Sequence, residues 1–144
     1  MDESEAVALV TWVEAAWNAH DMTRFAAYFT EEADFVNVGG WWWRGRQEIE
    51  QNHAALHSTI FQDSTMRLQL AAFKQVSPEI AVMHVKWQMG GHGKSGVEQT
   101  TDARLGIWSW VTRFRDGRAE IVSAHNTDTL SVPSGHPLAH LTPR

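Results

Sequence analysis

Two histidines, His53 and His57, stand four residues apart, a spacing that puts both on one face of a helix. Imidazole titrates near neutrality, so a paired face of this kind suits a pocket acid or base. It also suits a hydrogen-bonded seam between helix and sheet. The zinc reading is weaker. A metalloprotease helix would carry Glu where Ala54 stands, and no third ligand accompanies the pair, so no metal is expected. A third histidine, His125, lies beside Asn126 near the end of the chain, and with a carboxylate partner it could serve as a general base. Nucleophilic chemistry finds little support. There are no cysteines, and Ser58, Ser109 and Ser123 lack a nucleophile motif. The loop Gly90–Gly96 lacks phosphate-loop spacing and no G-x-G-x-x-G follows a strand, so no cofactor is expected.

Eight tryptophans against one tyrosine are the second chemical signal. Indoles can wall a wide apolar cavity or pack a core. Alternation along a strand puts Trp41 and Trp43 on one face and Trp42 on the other, and pairs Trp108 with Trp110. Trp87 shares an apolar face with Ala81, Met83, Val85 and Met89. Such walls favour a small apolar or aromatic partner. Net charge is −5 and the basic residues are scattered, apart from Arg113, Arg115 and Arg118. Nucleic acid is therefore not an expected partner. No stretch approaches the roughly 18 apolar residues of a membrane span, and the acidic start lacks signal-peptide character, so a cytoplasmic protein is expected.

The elements that must position these residues follow from period changes. Ala6, Val10, Val13 and Trp17 form one face of a first helix over about 3–19, with Asp2 and Glu5 at capping-box spacing. Asp21 suits the N-cap of a short second helix to about Phe29. Residues 33–38 read as a strand, Gly39-Gly40 as a turn, and Trp41–Trp43 as the return arm. A third helix covers about 46–57. Strands follow over about 65–76, 80–89, 97–114 and 118–129, the last two joined by an Asp116-Gly117 hairpin turn. Helices followed by antiparallel strands make an α+β chain: N-terminal helices packed on the concave face of a curled, mostly antiparallel sheet, enclosing a cone-shaped hollow. Residues 1–130 are expected to form one domain and 131–144 a flexible tail, with three prolines in its fourteen residues.

This order of elements resembles the nuclear-transport-factor-2-like superfamily, which includes SnoaL-like cyclases, ketosteroid isomerases and scytalone dehydratase. Trp17–Asp21, Phe29–Asn37, the Gly45-Arg46 turn and Ala124–Thr127 carry the resemblance, over about residues 4–130. Asp34–Val38, Trp43–Glu50 and the His53/His57 pair are similar to the SgcJ/EcaC branch. The resemblance implies that Phe35, Asn37 and Asn126 face the hollow, that Asp34 and His125 face away, and that the protein is a homodimer. It also exposes departures. Asn37 stands where the isomerases carry an aspartate base, Val13 near the place of their tyrosine, and Ile107 or Trp108 near that of their second aspartate.

Steroid-type isomerisation is therefore not expected. The expected protein binds a small molecule and performs cofactor-independent acid–base chemistry of cyclase, isomerase or dehydratase type. His53, His57 and His125 are the candidate acids or bases. Asn37 and Asn126 would orient a carbonyl or hydroxyl, with Trp17, Trp41, Trp43, Trp87 and Trp108 as walls. A non-catalytic binding protein and a dimeric association module remain the alternatives.

Overall fold

A computed structural model describes residues 1–91, 104–130, 132 and 134–141. Three helices and six strands occur among them: α1 (Glu3–Asn18), α2 (Met22–Ala27), β1 (Phe29–Val36), β2 (Trp42–Arg44), α3 (Gly45–His57), β3 (Thr65–Gln75), β4 (Ile80–Gly90), β5 (Arg104–Arg115) and β6 (Arg118–Asp128). Most of the Gly90–Gly96 loop and the expected start of the fifth strand, 97–103, lie outside the described residues. No helix among those described is long and apolar enough to cross a membrane.

Local chemistry sets the helix starts. The Asp2 carboxylate accepts from Glu5 N (2.9 Å) while Glu5 accepts from Asp2 N (2.7 Å), a reciprocal capping box that satisfies two otherwise orphaned donors. Asp21 likewise accepts from Arg24 N at 3.0 Å and opens α2. Gly45 enters α3 at φ +85°, with its α-carbon turned against the Glu31 carbonyl, which explains glycine at this turn.

The six strands form one curled, open sheet in the order β2-β1-β6-β5-β4-β3. Neighbours are antiparallel except β1 and β6, which run parallel. That parallel pairing extends β1 four residues earlier than its own pattern indicates, because Phe29 pairs with Ile121. α1 packs on β3, α3 on β1, and α2 on α3. β3 is an edge strand, and α1 engages the free groups at its start. Asn18 exchanges two hydrogen bonds with Met66 (2.7 and 2.9 Å), and Glu14 accepts from Leu68 N at 2.7 Å.

The inner face of the sheet is read out by alternation. Ala81, Met83, Val85, Trp87 and Met89 of β4 are buried, as are Gly106, Trp108, Trp110 and Thr112 of β5. On β6 the alternation breaks. The pairing slips between Val111↔Ser123 and Thr112↔Ile121, so Val122 is an extra residue and Ile121 takes the inward place. Val122 therefore does not share a face with Ala124, Asn126 and Asp128, as strict period two would require. The return arm also differs from its expectation. Trp41 N donates to the Asn37 side-chain oxygen (2.9 Å) and Trp41 O accepts from Asn37 N (2.9 Å), which holds Trp41 in the turn. β2 thus begins at Trp42, only Trp43 is buried, and Trp41 is 69% exposed.

Candidate functional site

A cavity of about 160 Å³ lies between α1, α3 and the inner face of the sheet. Of the residues singled out from sequence, Trp17, Asn37, Trp43, His53, Trp87, Trp108 and Asn126 line it together. Phe35 completes the aromatic wall, stacked on Trp43 with centroids 5.5 Å apart at 17°.

His53 is buried among Phe25, Phe35 and Trp43, at ring distances of 4.6, 4.8 and 5.1 Å. Its Nδ1 lies 2.7 Å from the Ile49 carbonyl oxygen. A carbonyl only accepts, so Nδ1 carries the proton and the lone pair is left on Nε2. Burial, reinforced by the neighbouring His57, drives the His53 pKa down to about 4 against the opposing pull of the Ile49 bond. At neutral pH His53 is an uncharged imidazole with one free acceptor nitrogen.

The sheet contributes the other polar groups. Trp87 Nε1 donates to Asn126 Oδ1 at 2.6 Å. An indole N–H can only donate, so the amide oxygen of Asn126 is used and its NH₂ remains. Asn37 is similar: its Oδ1 accepts from Gly39 N (3.0 Å) and Trp41 N (2.9 Å), leaving its NH₂. Either asparagine can orient an acceptor such as a carbonyl. The Asn37 oxygen already accepts two bonds, whereas that of Asn126 accepts one and keeps a second lone pair. Trp108 Nε1 is buried with no hydrogen-bond partner among the described residues. Sequence reasoning missed Arg104, which also lines the cavity. It forms a bidentate pair with Asp128 (2.6 and 2.9 Å) and stands 5.5 Å over the Trp87 ring. The Asp116-Gly117 turn alone does not reveal this pair: its register would set Leu105 opposite Asp128, and only the slip between Val111 and Thr112 puts Gly106 there, with Arg104 diagonal to Asp128.

Three of the singled-out residues stand elsewhere. Trp41 is in the exposed turn. His125 is exposed on the other side of the sheet, opposite Ser109, because it alternates with the inward Ala124 and Asn126. His57 turns from the cavity to a separate surface hollow shared with His20, Asp21 and Glu50. Its Nδ1 lies 2.8 Å from His20 Nδ1, and its ring packs edge-on against Trp17 at 4.3 Å. Desolvation and the His20 charge lower its pKa to about 4. No group of three or more His, Cys, Asp or Glu side chains among the described residues could hold a metal ion.

Helices closing the mouth of a curled sheet over one aromatic cavity define the cystatin-like, or nuclear-transport-factor-2-like, architecture. Residues 9–123 match the SnoaL-like domain, and the chain belongs to that family. No curated protein matches the sequence. Among solved structures, a domain of unknown function from Nostoc punctiforme is 26% identical, with TM-score 0.77, covering 91% of this chain and 79% of its own. An uncharacterised Caulobacter vibrioides protein is 27% identical, with TM-score 0.77 and 87% of each chain covered. A ketosteroid isomerase-like protein of Erwinia carotovora atroseptica shares the fold at 15% identity and TM-score 0.71, covering 90% of this chain and 99% of its own.

Proposed function

We propose that the chain binds a small organic molecule in the aromatic cavity and performs cofactor-independent acid–base chemistry on it, of the isomerase, cyclase or dehydratase kind. The observation that carries this reading is His53, whose Nδ1 is held by the Ile49 carbonyl so that Nε2 is left as an acceptor in the cavity lining. The same lining includes two amides whose NH₂ groups would stabilise oxygen charge, Asn37 and Asn126. A base this weak removes a C–H proton only where the resulting enolate is held by such donors. A homodimer through the outer sheet face is part of the reading, supported by Ile107 and Val111, which are only partly buried there, and by Leu105, which is half exposed.

The lowered basicity of His53 favours one second reading, a carrier that binds without turnover. The two separate by NMR. Ring ketones incubated in D₂O with the enzyme reading exchange their α-protons faster with the wild-type chain than with His53→Gln. Binding with equal, background exchange in both chains establishes the carrier. Absence of any bound small molecule, by native mass spectrometry and titration alike, refutes both readings.

A further inference from the structure

The size and hydrogen-bond inventory of the cavity specify the kind of molecule it takes, given the reading of the cavity as a small-molecule site. We infer that the ligand is compact, of one ring or equivalent bulk, that it presents a carbonyl oxygen to a set of donors, and that it offers one hydroxyl or acidic C–H to His53. The superfamily's steroid-sized substrates do not fit this description.

Volume is the first observation. The cavity of about 160 Å³ is close to the roughly 150 Å³ engineered cavity, in another protein, that holds one benzene. A four-ring skeleton needs several times that space. The walls cannot withdraw cheaply to supply it. Phe35, Trp43 and His53 pack on one another on one side, and Trp108 lies against Trp17 and Trp110 on the other.

Polarity is the second. Two backbone N–H groups consume the Asn37 oxygen and Trp87 engages that of Asn126, so the ends left wholly unused are the two NH₂ groups. The Trp108 ring lines the cavity, while its indole N–H is buried in the wall with no partner among the described residues. Among the described residues the only charged one lining the cavity is Arg104, whose charge is already offset by Asp128. Against these donors stand, among the described residues, His53 Nε2 and the second lone pair of Asn126 Oδ1. A ligand rich in donors or carrying a cation would strand itself and the protein groups alike. A pure hydrocarbon would fill the space but leave the donors unanswered. A ring bearing a carbonyl and a hydroxyl satisfies both ends.

The test uses four probes and two chains. 4-Hydroxybenzaldehyde, p-xylene, benzylamine and a four-ring steroid ketone are titrated against the wild-type protein, followed by calorimetry and by the indole N–H resonances, that of Trp108 being assigned by Trp108→Phe. The same titrations are repeated on Asn126→Asp, which keeps an oxygen for Trp87 but removes the donor. The expected result is 4-hydroxybenzaldehyde binding at least about tenfold tighter than p-xylene, with the Trp108 indole resonance shifted. Benzylamine and the steroid should bind more weakly still. Asn126→Asp should weaken 4-hydroxybenzaldehyde about tenfold or more and leave p-xylene unchanged, which also reports that the pocket is intact. Preference for the steroid ketone or for benzylamine overturns the inferred class while leaving a small-molecule site. So does equal binding of 4-hydroxybenzaldehyde by both chains. Binding of none of the four probes, together with no ligand retained in native mass spectrometry, overturns the site itself.

Discussion

Replacing His53 by Gln tests the burial of this imidazole through its proton linkage. In the fold His53 has a pKa of about 4, against an ordinary value of 6.5. The unfolded chain therefore takes up a proton at this residue as pH falls below about 6.5, while the folded chain resists until about 4. The sign follows: the contribution is fully present above pH 6.5 and is lost as pH falls towards 4. At about 1.36 kcal/mol per unit, the whole window is worth about 3 kcal/mol, of which about 2 kcal/mol is lost between pH 7 and pH 5. Gln keeps an uncharged hydrogen-bonding head and does not titrate. Urea unfolding of both chains at intervals from pH 7 to pH 5 gives the difference directly, and the carboxylates common to both cancel. Relative to His53→Gln, the wild type should lose about 2 kcal/mol across that range. Parallel stability curves would refute the argument, because they would mean that His53 titrates in the folded chain as it does in water.

Other perturbations address packing. A β-carbon at Gly106 would overlap the Trp87 indole and the Thr127 carbonyl, so Gly106→Ala should cost about 1–3 kcal/mol in chemical denaturation, displacing a cavity wall as well. Trp43→Ala should lose about 3–5 kcal/mol, whereas Trp41→Ala should stay within about 0.5 kcal/mol, a contrast that thermal melts of the two variants will show directly. Asp2→Ala removes the capping box of α1 and should lower stability by about 1 kcal/mol by urea titration, with no effect on ligand affinity.

The periodic elements of this protein were legible one residue type at a time. The buried face Ala6–Val10–Val13–Trp17, the Asp2 and Asp21 caps and the Asp116-Gly117 turn depend on neighbours within a few positions, so local spacing determines them. Alternation likewise put Trp87 on the apolar face of β4 and paired Trp108 with Trp110 on β5 before any partner strand was known, and the fold buries both sets. Residues whose position depends on distant chain were not legible in this way. Trp41 leaves the face of Trp43 because the Asn37 side chain holds it in a turn, and Val122 is displaced by a slip against a strand ten residues away. His53 and His57 illustrate the division best. Helical spacing puts them on one face, yet only tertiary packing separates them, turning His53 among Phe25, Phe35 and Trp43 and His57 outward to His20, which lies 37 residues distant in sequence. The same holds for the asparagines. Sequence supplied amides, whereas the fold decided how each is used, because the Asn37–Trp41 turn consumes one oxygen and Trp87 engages the other, leaving both NH₂ groups. Spacing along the chain fixes which side chains share a face; what each of them meets there is set by segments that spacing does not reach.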